Sequence, residues 1–167
     1  PGTVTLFDRS RFKSNLTLTA VTFTQLPSKA WVAVFNGTTS KGAAAASLCK
    51  VQTFSAWVYP TANTRSIVDF DSGTHSVEIT AGNAVTSTGW AAPTIYVNGV
   101  VASAVGLNRW QMVTVTTATA FTMSALVLGQ EASYFVGNMA CVKAFSHPSS
   151  AVSIRSIYAR ERRWFGV

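Results

Sequence analysis

FSAWVYP (Phe54–Pro60) opens a series of short β-type phrases. It continues through PTIYVNGV (Pro93–Val100), WQMVTVT (Trp110–Thr116), LVLG (Leu126–Gly129) and FVGNMACVKAF (Phe135–Phe145). Each phrase is rich in β-branched and aromatic residues, which fit a pleated, half-buried surface. The first, second and fourth end in Pro60, Asn98-Gly99 and Gly129, residues that stop or turn a strand. Short strands with turn signals at this spacing predict an all-β sandwich or barrel.

Outward from these phrases, residues 3–8 and 16–24 read as strands, the second alternating apolar and polar residues, with a polar loop over Asp8–Asn15 between them. Ala30–Phe35 reads as a buried strand ended by Asn36-Gly37, and Ser40–Ser47 as a connector. Arg65–Phe70 and His75–Thr80 form an expected hairpin around Asp71-Ser-Gly73. Thr86–Ala92 reads as a loop carrying Trp90. Thr94–Val97 and Val100–Val105 flank the Asn98-Gly99 turn; Trp110–Thr116, Phe121–Leu128 and Met139–Phe145 are further strands. Ser149-Ser150 predicts a helix start, because a hydroxyl there caps free N–H groups. Ile154, Ile157 and Tyr158 then share one face of a short helix ending near Arg163. No internal repeat or boundary interrupts the chain, so one domain over residues 1–167 is expected.

The ordered set resembles the laminin-G-like, concanavalin-A-like jelly-roll family, most clearly over residues 50–160. The resemblance rests on Phe54, Ala56, Trp57, Val58 and Pro60; on Tyr96, Val97, Asn98 and Gly99; and on Trp110, Val113, Val115 and Thr116. It continues in Leu126, Leu128 and Gly129, in Gly137, Met139, Val142 and Phe145, and in Ser150 and Ile154. Phe7-Asp8-Arg9-Ser10 is similar to the family's opening turn. Ser153 stands where the family has an acid, and Ala140-Cys141 where it often has two. The resemblance implies an antiparallel two-sheet jelly-roll β-sandwich with one short C-terminal helix. Trp57 and Trp110 are expected to face the core between the sheets. Such residues specify a fold and say little about a site.

Composition narrows the function. Only 11% of the 167 residues are charged, against roughly a quarter in an average soluble protein. Such a surface suits a β protein or a subunit covered by neighbours in an assembly. The net charge of +7 is dispersed except at Arg155, Arg160, Arg162 and Arg163, which form either a solvated helix face or a contact for an acidic partner. The dispersal argues against nucleic acid. No apolar run reaches the roughly 18 residues of a membrane helix. A start at Pro1 is expected of a processed product or a fragment. Cys49 and Cys141 are expected as largely buried thiols, with a disulfide as the alternative.

Catalysis is not expected. Polysaccharide cleavage on this fold uses paired carboxylates, and the glucanase pattern Glu-x-Asp-x-x-Glu is missing. Asp69 and Asp71 are the nearest pair, expected as a solvent-facing acid and a turn cap. They are also weak calcium candidates in a chain with six acids, since calcium wants six to eight oxygens. No other cofactor is implied, and His75 and His147 lack metal-site spacing. Binding remains: sugar rings lie on aromatic faces that the core leaves free. Trp90 and Tyr134 are the loop aromatics, each either a contact or a plug in the end of the sandwich, and Arg65 is a nearby cation. Two readings follow. One is a non-catalytic lectin-like module of a virion or surface assembly, with neighbouring subunits as partners, located on a virion or outside the cell. The other is a secreted carbohydrate-binding or adhesion domain. A glucanase-type hydrolase ranks below both.

Overall fold

The computed structural model describes residues 4–8, 14–44 and 49–167. Residue 3 of the first expected strand, the expected loop residues 9–13, with Arg9 and Ser10 of the opening turn, and residues 45–47 of the expected connector lie outside them. In chain order the strands are β1 (Val4–Leu6), β2 (Leu16–Thr19), β3 (Thr22–Gln25), β4 (Trp31–Asn36), β5 (Lys41–Ala44), β6 (Cys49–Pro60) and β7 (Arg65–Phe70). Then come β8 (His75–Ile79), β9 (Val85–Thr88), β10 (Thr94–Val97), β11 (Val100–Val101), β12 (Gln111–Met123), β13 (Leu126–Leu128) and β14 (Val136–Phe145). Helix α1 (Ala151–Glu161) and a 3-10 turn, Arg162–Trp164, close the chain. Among the described residues the strands form two antiparallel sheets, β1-β2-β5-β13-β7-β8-β9 and β11-β10-β12-β6-β14-β4-β3. The all-β, two-sheet sandwich with one short C-terminal helix is therefore what the chain adopts.

Strand alternation explains how the layers divide. On β6, Phe54, Ala56 and Val58 point between the sheets, where they meet Ile67, Phe70, Val113 and Val115. Trp57 points the other way, with Val32, Tyr96, Trp110 and Met112, and α1 covers this group through Ile154. Trp57 and Trp110 thus do not face the core between the sheets. Period-2 alternation excludes Trp57 from the face that Ala56 and Val58 occupy. The buried hydroxyls beside it pair across strands: Ser55 Oγ with Thr114 Oγ1 at 2.9 Å, and Thr53 Oγ1 with Thr116 Oγ1 at 3.1 Å.

Helix α1 begins as its sequence predicts. The Ser150 side chain accepts a hydrogen bond from the Ser153 N–H. Asn98 and Gly99 both adopt positive φ, 54° and 81°, which a tight turn of this kind requires.

Other expectations need correction. Residues 16–24 are two strands, because Ala20 at φ 51° breaks the run and sends β2 and β3 into different sheets. The start of the expected connector is β5, whose small residues let β2 approach: a Cβ on Gly42 would lie 2.9 Å from Leu18 Cδ2. The expected Trp90 loop begins with strand β9, and β11 is only two residues long. The strands read as Trp110–Thr116 and Phe121–Leu128 are divided differently. Strand β12 runs on to Met123 across a register shift between Thr116 and Phe121, and β13 follows separately.

Candidate functional site

The residues singled out in the sequence fall in different places. Trp90 is 5% exposed, and its ring sits among Phe70 and Phe121 at centroid distances of 6.1 and 5.0 Å. Its Nε1 is buried without a hydrogen-bond partner among the described residues. Tyr134 is half-buried, next to Ser133, whose Oγ accepts the Ser66 N–H at 3.2 Å. That contact brings the Tyr134 loop to the Arg65 end of β7, while Trp90 packs at the Phe70 end. At about 3.3 Å per residue, the two ends are roughly 16 Å apart. Arg65 is half-buried, and its Nε has no partner among the described residues.

The acids near Asp71 serve a turn. Asp71, Ser72 and Gly73 all have positive φ. Asp69 accepts the Gly73 N–H at 2.7 Å; Asp71 accepts the Ser124 N–H and pairs with His75 Nδ1 at 3.0 Å. The expectation that Asp69 faces solvent fails: it is 7% exposed, because Gly73 folds back over it. Among the described residues no group of three His, Cys, Asp or Glu side chains converges to hold a metal. No disulfide joins Cys49 and Cys141, and both are half-buried.

Burial raises the Asp69 carboxyl above its ordinary 3.8, the Gly73 N–H opposes this, and Glu131 and Asp71 add to it. The folded protein therefore holds a proton that the unfolded chain has released. Stability falls as pH rises from 3.8 through the raised folded value, and stays lower above it. Asp69→Asn keeps an acceptor for Gly73 and removes the titration. It is expected to flatten this part of the stability–pH curve and to raise stability above it, as thermal melts across pH would read.

The tryptophan that the fold leaves most available for a flat ligand is one the sequence reading placed in a buried strand. Of the five tryptophans, Trp31 alone is more than half exposed, at 64%; Trp57, Trp90, Trp110 and Trp164 are at 0, 5, 8 and 37%. Strand β4 fixes its backbone, opposite Gln25 on edge strand β3. The connecting turn is tied by Leu26 N–H to Ala30 O at 2.8 Å, and Gln25 Nε2 donates to Lys29 O at 3.1 Å. Ser28 Oγ donates to Trp164 O, anchoring the turn to the end of the chain. An exposed aromatic beside a side-chain amide is the kind of surface that takes a sugar ring on its face and hydroxyls at its rim. Directly paired residues share a face, which places Gln25 beside the indole.

No family model and no curated protein matches the chain. Solved structures do. One is domain 4 of AbnA, a GH43 extracellular arabinanase from Geobacillus stearothermophilus, determined in complex with arabinotriose. It is 12% identical, with a TM-score of 0.56 over 84% of this chain and 82% of that one. The likeness is one of fold.

Proposed function

We propose that this chain is a non-catalytic carbohydrate-binding module that works outside the cell, with Trp31 as its stacking platform. The observation that carries this reading is Trp31 itself, a mostly exposed indole on a paired strand. The fold likeness to a domain solved with arabinotriose supports it and makes arabino-oligosaccharides the first ligands to try. Arg65 and Tyr134 supply a second aromatic-and-cation pair, and Trp90 is left to the core. We assign no catalysis, because Asp69 and Asp71 both hold the turn, whereas glycoside hydrolysis needs two carboxylates facing one bond. Among the described residues no helix is long and apolar enough to cross a membrane, which leaves β-barrels unaddressed. The finer placement in the laminin-G-like, concanavalin-A-like family belongs to the same proposal.

Trp31→Ala is expected to weaken binding by about tenfold or more, the usual effect of truncating an aromatic anchor. Its melting temperature should hardly change, since an exposed side chain contributes little to stability. Titration calorimetry against arabinotriose, arabinan and neutral β-glucans checks both. Equal affinity in the variant would remove Trp31 from the site.

A second reading, a subunit of a virion or other surface assembly, has its own observation. Val4, Leu6 and Phe7 at the β1 edge, and Phe23 on edge strand β3, are 44, 38, 76 and 39% exposed. Strand β2 passes into β3 at Ala20, which sets both edges on one side of the sandwich. Exposed apolar residues gathered on one side are typical of surfaces that another chain covers. Sedimentation at rising concentration tests this: a persistent monomer contradicts self-assembly.

A further inference from the structure

A groove of about 380 Å³ lies where the Asn98-Gly99 turn, the loop after Val105 and the end of the chain meet. Asn98, Val100, Arg109, Trp110, Gln111 and Val167 line it. Its size falls in the lower range of small-ligand sites, roughly 300–1,000 Å³.

Its polar floor is built rather than incidental. Gln111, 1% exposed, holds Gly106 from both sides: the Gly106 N–H donates to Oε1 at 2.9 Å, and Nε2 donates to Gly106 O at 2.7 Å. The Arg109 guanidinium lies flat on that glycine, since a Cβ at Gly106 would sit 2.1 Å from Arg109 Nε and 2.5 Å from Cζ. Arg109 is thus exposed, yet rests on a fixed backbone. Trp110 forms an apolar wall, braced by Phe165 and Tyr59 at 4.7 and 5.7 Å. Asn98 Oδ1 accepts a hydrogen bond from the Met112 N–H at 3.0 Å, which leaves its amide hydrogens for a ligand.

The charged side chains around it have one sign. Arg155 of α1 packs against the same turn, where a Cβ on Gly99 would be 3.2 Å from its Cα. Arg162 Nε donates to Val167 O at 2.7 Å. Arg109, Arg155 and Arg162 form no ion pair with any described Asp or Glu side chain. The one acid of α1, Glu161, is 3% exposed and turned inward to Trp57, Lys143 and Arg160.

The geometry points to a second subsite here, for a carboxylate-bearing sugar residue such as a uronic acid. Resting on the carbohydrate-binding reading above, it names the acidic class of glycan that the module takes. The planar guanidinium matches a carboxylate with two parallel hydrogen bonds. The Asn98 amide meets a ring hydroxyl, and the apolar side of the sugar lies toward Val100 and Trp110. Arg155 and Arg162 thereby act with Arg109 around one groove, rather than as part of a basic tail alone.

The test uses the whole chain, with calorimetric titration of oligogalacturonate, its methyl ester, a sulfated oligosaccharide, single-stranded DNA and arabinotriose. Oligogalacturonate is expected to bind at least tenfold tighter than its methyl ester, which has the same rings without the charge. Arg109→Gln should lose roughly tenfold in oligogalacturonate affinity with an unchanged melting temperature, and Arg155→Gln a smaller factor. Stronger binding of the sulfated glycan or of DNA would overturn the carboxylate assignment. Oligogalacturonate affinity unchanged in Arg109→Gln, beside arabinotriose binding that Trp31→Ala removes, would overturn this subsite and spare the reading it rests on. Silence toward every glycan would overturn both.

Discussion

Trp57→Ala is expected to destabilise the protein by about 3–5 kcal/mol, the range for truncating a buried large aromatic side chain. Trp57 is fully buried, and its ring stacks on Phe165 at 4.2 Å and on Tyr158 at 5.7 Å. Removing it leaves a cavity between the second sheet and α1, and takes from the helix the ring on which its Tyr158 stacks. For a chain of this length the melting temperature should drop by on the order of 10 °C. The inter-sheet core does not include Trp57, so the damage should begin at the helix. Amide exchange is expected to rise first in Ala151–Glu161, while β6 and β12 stay protected. A loss below about 1 kcal/mol, or exchange that rises equally in both sheets, would show that α1 is not held through Trp57.

Glu161→Ala carries the second large effect, about 3 kcal/mol, from uncoupling a buried charge. The carboxylate is 3% exposed; its Oε2 accepts Trp57 Nε1 at 3.0 Å and Lys143 Nζ at 2.9 Å. The substitution leaves the indole N–H without its acceptor and Lys143 without its counter-charge. Lys143 is partly exposed and can turn toward water, which keeps the loss at the lower end of the range for broken buried pairs. Lys143→Met together with Glu161→Leu should cost less than the sum of the single changes, because neither charge is then stranded. Urea unfolding of the two single variants and the double one, read at constant slope, measures this coupling. Simple additivity would mean that the pair contributes nothing beyond its two separate sites.

Much of the fold was legible because local rules and tertiary structure agree. Asn98-Gly99 turns where its conformational freedom predicts, Ser150 caps α1, and Arg65–Phe70 with His75–Ile79 forms the expected hairpin. What escaped depends on neighbours that periodicity cannot see. The alternation of Leu16–Thr24 slips by one residue at Ala20-Val21, with apolar residues at 16, 18 and 20 and then at 21 and 23, a local mark of the break that reading the run as one strand passes over. Alternation separates Trp57 from Phe54, Ala56 and Val58, yet it does not say which side a helix will cover. Trp31-Val-Ala-Val-Phe35 reads as an unbroken apolar run, which hides that its first residue stands beside a turn at the sheet edge. The candidate site was the least legible part, because exposure decides it. For Trp90 the sequence left both a ligand contact and a plug open, and it is packed, whereas Trp31 resembled core and is open.

The central claim is that Trp31 holds a sugar. The most direct measurement is a two-dimensional NMR titration of the chain with arabinotriose and then with oligogalacturonate, following the five indole N–H signals. Arabinotriose is expected to shift the Trp31 indole and the Gln25 amides, and to leave Trp57 and Trp90 in place. Spectra that do not change with any glycan, or changes confined to residues away from Trp31, would contradict the account.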